Sequence, residues 1–139
     1  MSSMVIDSSV TMAWCFEDES SALADAVLDR LSDAEAWVPA LWPLEVANVL
    51  LVAERRSRLT PADSARFVEL LAGLPILIDE GSHRRALGAV LACGRELGLS
   101  AYDAAYLELA MRRGAEMATA DEKLRVACRE SGIPVFDPA

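Results

Sequence analysis

Two carboxylates of this sequence fall on helical faces that are otherwise largely apolar. Glu45 lies in the segment LWPLEVANVL, with Leu41 and Val49 one turn away on either side. Asp103 lies in SAYDAAYLELA, with Leu107 one turn after it. A buried carboxylate is costly without a partner, and two of them about 4 Å apart repel by roughly 4 kcal/mol at an effective dielectric of about 20. Such acids persist when they are protonated or hold cations, and a metal ion is the simplest compensation.

Two further acids each follow a short apolar run that reads as a β-strand. Asp7 ends MVID, and Asp121 comes shortly after the run at 115–118. Because functional sites of parallel α/β sheets lie at the carboxyl ends of strands, both acids are candidates for the same site. Hydroxyl side chains stand beside them, and the resulting set has oxygen ligands only: Asp7, Ser9, Glu45, Asp103, Thr119 and Asp121. That ligand set suits Mg²⁺ or Mn²⁺ and not zinc.

Each acid also has an ordinary structural explanation. Asp103 follows Ser100 at the spacing of a capping box, in which two side chains satisfy free backbone donors at a helix start. The other three acids can be a helix cap, a turn residue at a strand end and a partly exposed helix position. Asp63 has the same local capping pattern with no other sign of function, and Asp79 is interpreted as a helix cap. The local patterns alone therefore leave both explanations open.

The elements that must position these acids alternate between short apolar runs and helical patterns. Strands are predicted at 4–6, 36–38, 76–78 and 115–118, all of them buried, with a last edge strand at 134–136. Helices are predicted up to residue 16 and at 20–31, 41–57, 61–72, 83–97, 101–113 and 121–129. This alternation is typical of an α/β fold with a mainly parallel sheet of four to five strands, covered on both faces.

Composition limits the class of protein. The 139 residues are 53% hydrophobic, which suits one domain, 1–139, with its own core. No apolar run reaches the roughly 20 residues of a membrane span, so we expect a soluble, cytoplasmic protein without a membrane partner. The three separated cysteines form no disulfide framework and are predicted to be reduced, buried thiols.

The net charge of −9 makes the chain a poor general binder of nucleic acid, because phosphate contacts depend on Lys and Arg. A nucleic-acid substrate would therefore require a bound divalent cation to neutralise the acidic face. A basic partner protein would also suit this charge. Candidate contacts to RNA are the basic residues of the less acidic part: Arg84, Arg85, Arg112, Arg113, Lys123 and Arg125.

Four segments, VIDSSVTMAWCFEDE, PLEVANVL, SAYDAAYLELAMRRG and ATADEKL, span almost the whole chain in a fixed order. Together they resemble the PIN-domain ribonucleases, specifically the VapC-type toxins of toxin–antitoxin pairs. The resemblance implies a three-layer α/β/α fold and a Mg²⁺- or Mn²⁺-dependent endoribonuclease that uses a metal-activated water. The family's four acidic positions fall on Asp7, Glu45, Asp103 and Asp121, its hydroxyl positions on Ser9 and Thr119, and its frequent asparagine on Asn48.

The resemblance also implies partners. The expected ones are an RNA substrate, a small antitoxin whose tail covers the active site, and a second copy of the chain in a homodimer. Some members of the family carry a further acid a few residues after the fourth; here Lys123, Leu124 and Arg125 follow, so the number of metal ions stays open.

Two other functions were weighed. One is a PIN-like fold that has lost catalysis and serves as a protein-binding module, although all four acids are retained. The other is a phosphoryl-handling domain, either a receiver or a dehalogenase-like phosphatase. The phosphatase pattern requires a second aspartate where this chain has Ser9, and the receiver pattern requires an acidic pair that Ser8 interrupts.

Overall fold

The alternating apolar and helical segments build one parallel sheet. The computed structural model describes residues 3–138. Its strands are β1 (Ser3–Ile6), β2 (Glu35–Pro39), β3 (Ile76–Asp79) and β4 (Glu116–Ala118), and they lie in the order β3-β2-β1-β4 with every neighbouring pair parallel. β1 lies inside the sheet, and its residues Met4, Val5 and Ile6 are inaccessible to solvent. The carboxyl ends of β1 and β4 are neighbours, since Ile6 pairs with Ala118.

Seven α-helices connect and flank these strands in the described residues. They are α1 (Ser8–Ala13), α2 (Ala22–Arg30), α3 (Trp42–Arg55), α4 (Pro61–Ala72), α5 (Leu91–Leu97), α6 (Ala101–Arg113) and α7 (Glu122–Glu130). A 3₁₀ turn, Glu17–Glu19, precedes α2. Within residues 3–138, no helix has both the length and the apolar content needed to cross a membrane.

Helix ends follow from recognisable capping residues. Thr60 and Asp63 form a reciprocal capping box at the start of α4, and Pro61 occupies the first position of that helix. Gly98 and Gly114 follow α5 and α6 with φ angles of 66° and 61°, which glycine adopts without strain. The predicted bounds of α4 and α6 are confirmed, because each helix has a clear cap at one end and a glycine at the other.

Helices cover the sheet in a three-layer α/β/α arrangement. α6 is the most buried of them, since every residue of 104–110 is buried. It contacts β1, β2 and β4 as well as α5 and α7, whereas α1 contacts α2 and α3. The core therefore holds α6 on several sides and gives its first turn, which carries Asp103, a defined position.

The prediction of a buried third strand is wrong, because β3 is an edge strand. Leu77 and Ile78 are 39% and 43% exposed. Asp79, at the end of this strand, is buried and does not cap a helix as predicted. Its two carboxylate oxygens accept hydrogen bonds from Arg112 at 3.1 and 2.8 Å, and one of them accepts a third from Arg113 at 3.4 Å.

The helix predicted at 83–97 is divided into three parts. A 3₁₀ turn, His83–Arg85, leads into a π-helical turn, Ala86–Val90, so that α5 begins only at Leu91. Short π-helical turns of this kind are uncommon and often lie near functional sites.

Three smaller predictions also need correction. α1 ends at Ala13, short of its predicted end. The edge strand predicted at 134–136 is reduced to one parallel bridge, between Val135 and Met117. The cysteines are free thiols, but only Cys128 among them is buried.

Candidate active site

Asp7 caps α1 with its own side chain at the point where β1 ends. Its Oδ1 accepts hydrogen bonds from Ser9 Oγ at 2.6 Å and from Val10 N at 3.2 Å, and its Oδ2 accepts one from the Thr119 hydroxyl. The residue is only 6% exposed. Burial raises the pKa of the Asp7 carboxyl, these hydrogen bonds oppose the rise, and the negative charge of Asp121 adds to it. The carboxylate is thus held in one orientation at the carboxyl edge of the sheet.

The two hydroxyls that hold Asp7 also tie the end of β1 to the segment after β4. Ser9 Oγ accepts a hydrogen bond from Ala120 N at 3.1 Å, and Thr119 Oγ1 accepts one from Asp121 N at 3.0 Å. Each hydroxyl therefore donates to the Asp7 carboxylate and accepts from the backbone beyond β4. The structure brings both predicted hydroxyls to the first acid.

Glu45 is carried by the first turn of α3, which a separate chain of hydrogen bonds fixes near Asp7. Trp42 Nε1 donates to Thr11 Oγ1 at 3.0 Å, and that hydroxyl donates to the Asp7 carbonyl oxygen at 3.1 Å. Glu45 itself accepts a hydrogen bond from the Tyr106 hydroxyl of α6. The second acid is therefore positioned by two other helices, α1 and α6.

Asp103 stands where a capping box would use its side chain, but only half of that box forms. Ser100 Oγ accepts a hydrogen bond from Asp103 N at 3.1 Å. In residues 3–138, the Asp103 carboxylate neither accepts a hydrogen bond nor forms an ion pair. Asp63, at the corresponding position of α4, does complete its box by accepting from Thr60 N at 2.9 Å. The Asp103 carboxylate is thus left available to a ligand.

Asp121 and Asn48 occupy more exposed positions. Asp121 caps α7, because its Oδ1 accepts hydrogen bonds from Lys123 N at 2.9 Å and Leu124 N at 3.3 Å. Its second carboxylate oxygen has no such partner among the described residues. Asn48 lies on the surface of α3, one turn after Glu45, and its side chain makes no hydrogen bond within residues 3–138.

Neighbouring acids affect the ionisation of Asp7, Glu45 and Asp103. Burial raises the pKa of the Glu45 carboxyl; its hydrogen bond from α6 opposes the rise, and the negative charges of Asp7 and Asp103 add to it. Burial also raises the pKa of the Asp103 carboxyl, with a further rise from the charge of Asp121. Asp7 and Asp103 act on Glu45, and Asp121 acts on both Asp7 and Asp103, so the four acids belong to one region of the carboxyl edge.

The donor chemistry of this region fits a divalent cation. In the described part of the chain, no three acidic, histidine or cysteine side chains stand within common reach of one ion. Glu45, Asp103 and Asp121 nevertheless each keep a carboxylate oxygen without a hydrogen-bond partner in residues 3–138. Carboxylate oxygens are the ligands that Mg²⁺ and Mn²⁺ prefer. A bound cation would offset the mutual repulsion of these acids.

The basic residues predicted to contact RNA divide into two groups. Four of them already donate to protein acceptors: Arg85, Arg112, Arg113 and Arg125. Arg84 and Lys123 are exposed and have no side-chain hydrogen bond or ion pair in residues 3–138. Within the predicted set, these two are the more accessible cations.

Tyr106 contacts a candidate site residue in a way that could not be predicted from the sequence, since 61 residues separate it from Glu45. Replacing Tyr106 by phenylalanine should weaken metal binding without disturbing the fold. The ring keeps its place in the core, but Glu45 loses the donor that orients it. Partners of this kind are worth about 10- to 100-fold in metal affinity. Calorimetric titration with Mn²⁺ should show a loss in this range, and an unchanged affinity would contradict the positioning role.

A three-layer α/β/α arrangement around a parallel four-stranded sheet is the architecture of a PIN-like domain. The family model described as "PIN domain" matches residues 4–130, and the chain belongs to this family. PIN domains are generally nucleases.

Two solved structures are similar to this chain. One is PAE2754 from Pyrobaculum aerophilum, with 24% sequence identity, a TM-score of 0.66, and coverage of 91% of this chain and 86% of that chain. The other is FitAcB from Neisseria gonorrhoeae, with 22% identity, a TM-score of 0.54, and coverage of 97% of both chains. Comparison with curated proteins finds no match. At these identities the two structures support the fold alone.

Proposed function

We propose that the protein is a Mg²⁺- or Mn²⁺-dependent endoribonuclease that acts as the toxin of a type II toxin–antitoxin pair. Membership of the PIN family supports a nuclease. The all-oxygen donor set at the carboxyl edge supports metal dependence. The ordered motifs resemble the VapC-type toxins and support the assignment to ribonuclease toxins.

One observation carries this proposal: the Asp103 carboxylate is unused by its own helix cap. Ser100 caps α6, and the Asp103 carboxylate accepts no hydrogen bond at that helix start within residues 3–138, although its charge in the first turn favours the helix dipole. Burial and the charge of Asp121 raise the pKa of this carboxyl, and the charge of Lys123 opposes the rise. A partly buried carboxylate beside another acid, with no hydrogen bond or ion pair in residues 3–138, supports a bound cation.

The residues of the chain then have separate tasks. The cation would be held by carboxylates of Asp7, Glu45, Asp103 and Asp121. When bound, it supplies charge stabilisation at the phosphate and makes water a better nucleophile. Ser9 and Thr119 keep the Asp7 carboxylate in one orientation, and Tyr106 fixes Glu45. No side chain has to act as nucleophile; in-line attack by water on phosphorus, with the bond to the 3′ oxygen breaking, would leave a 5′ phosphate and a 3′ hydroxyl.

The proposed protein partners are an antitoxin and a second copy of the chain. An apolar groove of about 380 Å³ lies between α3 and α4 beside the exposed edge strand, with Val46, Leu50, Leu71 and Ile78 among its lining residues. A groove of this kind suits an amphipathic helix. The net charge of −9 favours an antitoxin with a basic tail. We place this pair in the cytoplasm.

Cleavage of mixed RNA by protein freed of any partner tests the proposal. The wild type should cut with Mn²⁺ or Mg²⁺ and stop with chelator, and Asp103→Asn should not cut. Asp63→Asn is the matched control, because it changes the same position in the first turn of another helix. Equal cutting by the wild type and Asp103→Asn would indicate a contaminating nuclease.

The metal dependence of the melting temperature gives a test that needs no RNA. An ion present at about 100 times its Kd stabilises the native state by about 2.7 kcal/mol. We expect Mn²⁺ to raise the melting temperature of the wild type and of Asp63→Asn, but much less that of Asp103→Asn. If all three proteins shift equally, the ion binds elsewhere.

The second candidate function is a catalytically silent PIN-like binding module. The exposed apolar groove is the observation that favours it, because a binding module needs a docking surface and no metal. A protein that neither cuts RNA nor shifts its melting temperature with Mn²⁺ would support this candidate.

A further inference from the structure

A small apolar pocket opens beside the acids at the carboxyl edge of the sheet. Its volume is about 240 Å³. The walls come from the loop before α3, from the segment that includes the 3₁₀ and π-helical turns, and from the first turns of α6; they include Leu41, Ser82, His83, Val90, Ala101, Tyr102 and Ala105. None of the four site acids lines this pocket, so it is a separate feature.

Two residues join the pocket to the acids. Leu41 precedes Glu45 by one helical turn, and its carbonyl oxygen accepts the hydrogen bond from Glu45 N at 3.0 Å. Tyr102 is the residue directly before Asp103 on α6. A ligand in the pocket would therefore lie next to whatever the acids bind.

The walls favour a small, largely apolar ligand. Ser82 is the one hydroxyl inside the pocket other than that of Tyr102, and both of its bonds are made: its Oγ accepts from Ala40 N at 2.8 Å and donates to Asp79 O at 3.1 Å. His83 supplies a polar group at the exposed side. The remaining wall residues are aliphatic, so the pocket offers contact area with few polar groups, as small-molecule sites usually do.

The exposure of Tyr102 also favours a ligand that can stack on an aromatic ring. The Tyr102 side chain is 66% exposed although it lines the pocket, and its hydroxyl makes no hydrogen bond in residues 3–138. Unpaired bases of single-stranded nucleic acid stack on accessible aromatic rings of this kind.

We propose that this pocket is a subsite for one unpaired nucleobase of single-stranded RNA, stacked on Tyr102 while the adjoining phosphate lies at the acids. The inference rests on the proposed function, because it identifies part of the substrate of that site. It makes Tyr102 and His83 specificity-determining residues. The basis is the direct connection between the pocket and Asp103, which a contact elsewhere on the surface would lack.

The test measures binding rather than cleavage, with short single-stranded RNA homopolymers as probes. All proteins carry Asp7→Asn so that no probe is cut. Tyr102→Ala should lose about 5- to 100-fold in affinity for the best-bound homopolymer, whereas Tyr102→Phe should keep it. Leu87→Ala is the control, since Leu87 is 90% exposed on the adjoining segment and does not line the pocket.

A probe with the same sugar–phosphate backbone and no bases separates stacking from charge. Tyr102→Ala should bind this probe as tightly as its parent protein. Equal losses on both probes, or no loss on either, would overturn the base subsite. A change in self-association with unchanged RNA affinity would overturn it too and would identify Tyr102 as a contact between copies.

The base subsite and the proposed nuclease function can be contradicted independently of each other. If the wild type does not cut RNA but RNA binding depends on Tyr102 and on the bases, the proposed nuclease activity is wrong and the base subsite is supported. If the wild type cuts RNA but Tyr102→Ala binds normally, only the subsite fails. If the protein binds none of the RNA probes, the subsite is overturned, whatever the wild type does with other RNA.

Discussion

Asp7→Asn should reduce metal-dependent RNA cleavage by about a thousandfold or more while the protein melts at or above the temperature of the wild type. Stabilisation of phosphate charge by a held cation is worth several kcal/mol, and each 1.36 kcal/mol is a factor of about ten in rate. Asparagine removes the negative charge from Asp7, the most deeply buried of the four proposed ligands.

The stability of Asp7→Asn follows from the same burial. The folded protein raises the pKa of the Asp7 carboxyl chiefly by burial, so the charged form is disfavoured there. Asparagine is about as good as aspartate at a helix N-cap, and its side-chain oxygen can still accept from Val10 N. Chemical unfolding without metal measures the result. A variant that loses activity because it has unfolded would contradict this explanation of Asp7.

Arg112→Met should cause the largest loss of stability outside the site, about 3–5 kcal/mol. The Arg112 guanidinium bonds both oxygens of Asp79 and both oxygens of Glu108, and these two carboxylates are 4% and 8% exposed. Methionine keeps the apolar stem but leaves both carboxylates without their main cation. For a domain of this size the melting temperature should fall by about 10–20 °C.

The contact between Arg112 and Asp79 should make the loss of stability in Arg112→Met depend on pH. Hydrogen bonding to Arg112 holds the pKa of the Asp79 carboxyl below its usual range. A lowered pKa contributes stability that is complete above the unfolded value of about 3.9 and is lost as the pH falls through the folded value. The difference between wild type and Arg112→Met should therefore be large at neutral pH and shrink below about pH 4.

Arg129→Met is the control for this prediction. Arg129 forms only an exposed ion pair with Glu122, at 3.9 Å, so its replacement should change stability by less than about 0.5 kcal/mol. Equal losses in the two variants, or a difference from the wild type that does not depend on pH, would contradict the role of the Asp79 contact.

The elements that carry local signals were predictable from the sequence. α6 has Ser100 as its cap and Gly114 after its end, and its observed bounds are those that the pattern predicts. The edge position of β3 was not predictable, because a short apolar run is compatible with both a central and an edge strand. The break at 83–97 was missed because no proline or cap residue marks the π-helical turn.

The contacts among the acids depend on distances that local sequence cannot encode. The sequence indicated four acids and two hydroxyls from their positions, but the Tyr106 contact with Glu45 joins residues on different helices. Asp79 was misread for the same reason, since its partner Arg112 lies 33 residues further along the chain. The half-formed box at Asp103 required the structure, because Ser100 and Asp103 have the spacing of a complete one.

The hydrogen bond between Asp7 and Thr119 joins residues that are 112 positions apart, so the site cannot assemble until both have been synthesised. At translation rates of about 5–20 residues per second, roughly 6–22 s pass between the appearance of the first acid and that of its hydroxyl partner. A nascent chain therefore carries no assembled site before Thr119 has been added. A protein that cuts RNA would in this way be harmless to its own messenger while the residues between the first acid and Thr119 are being translated.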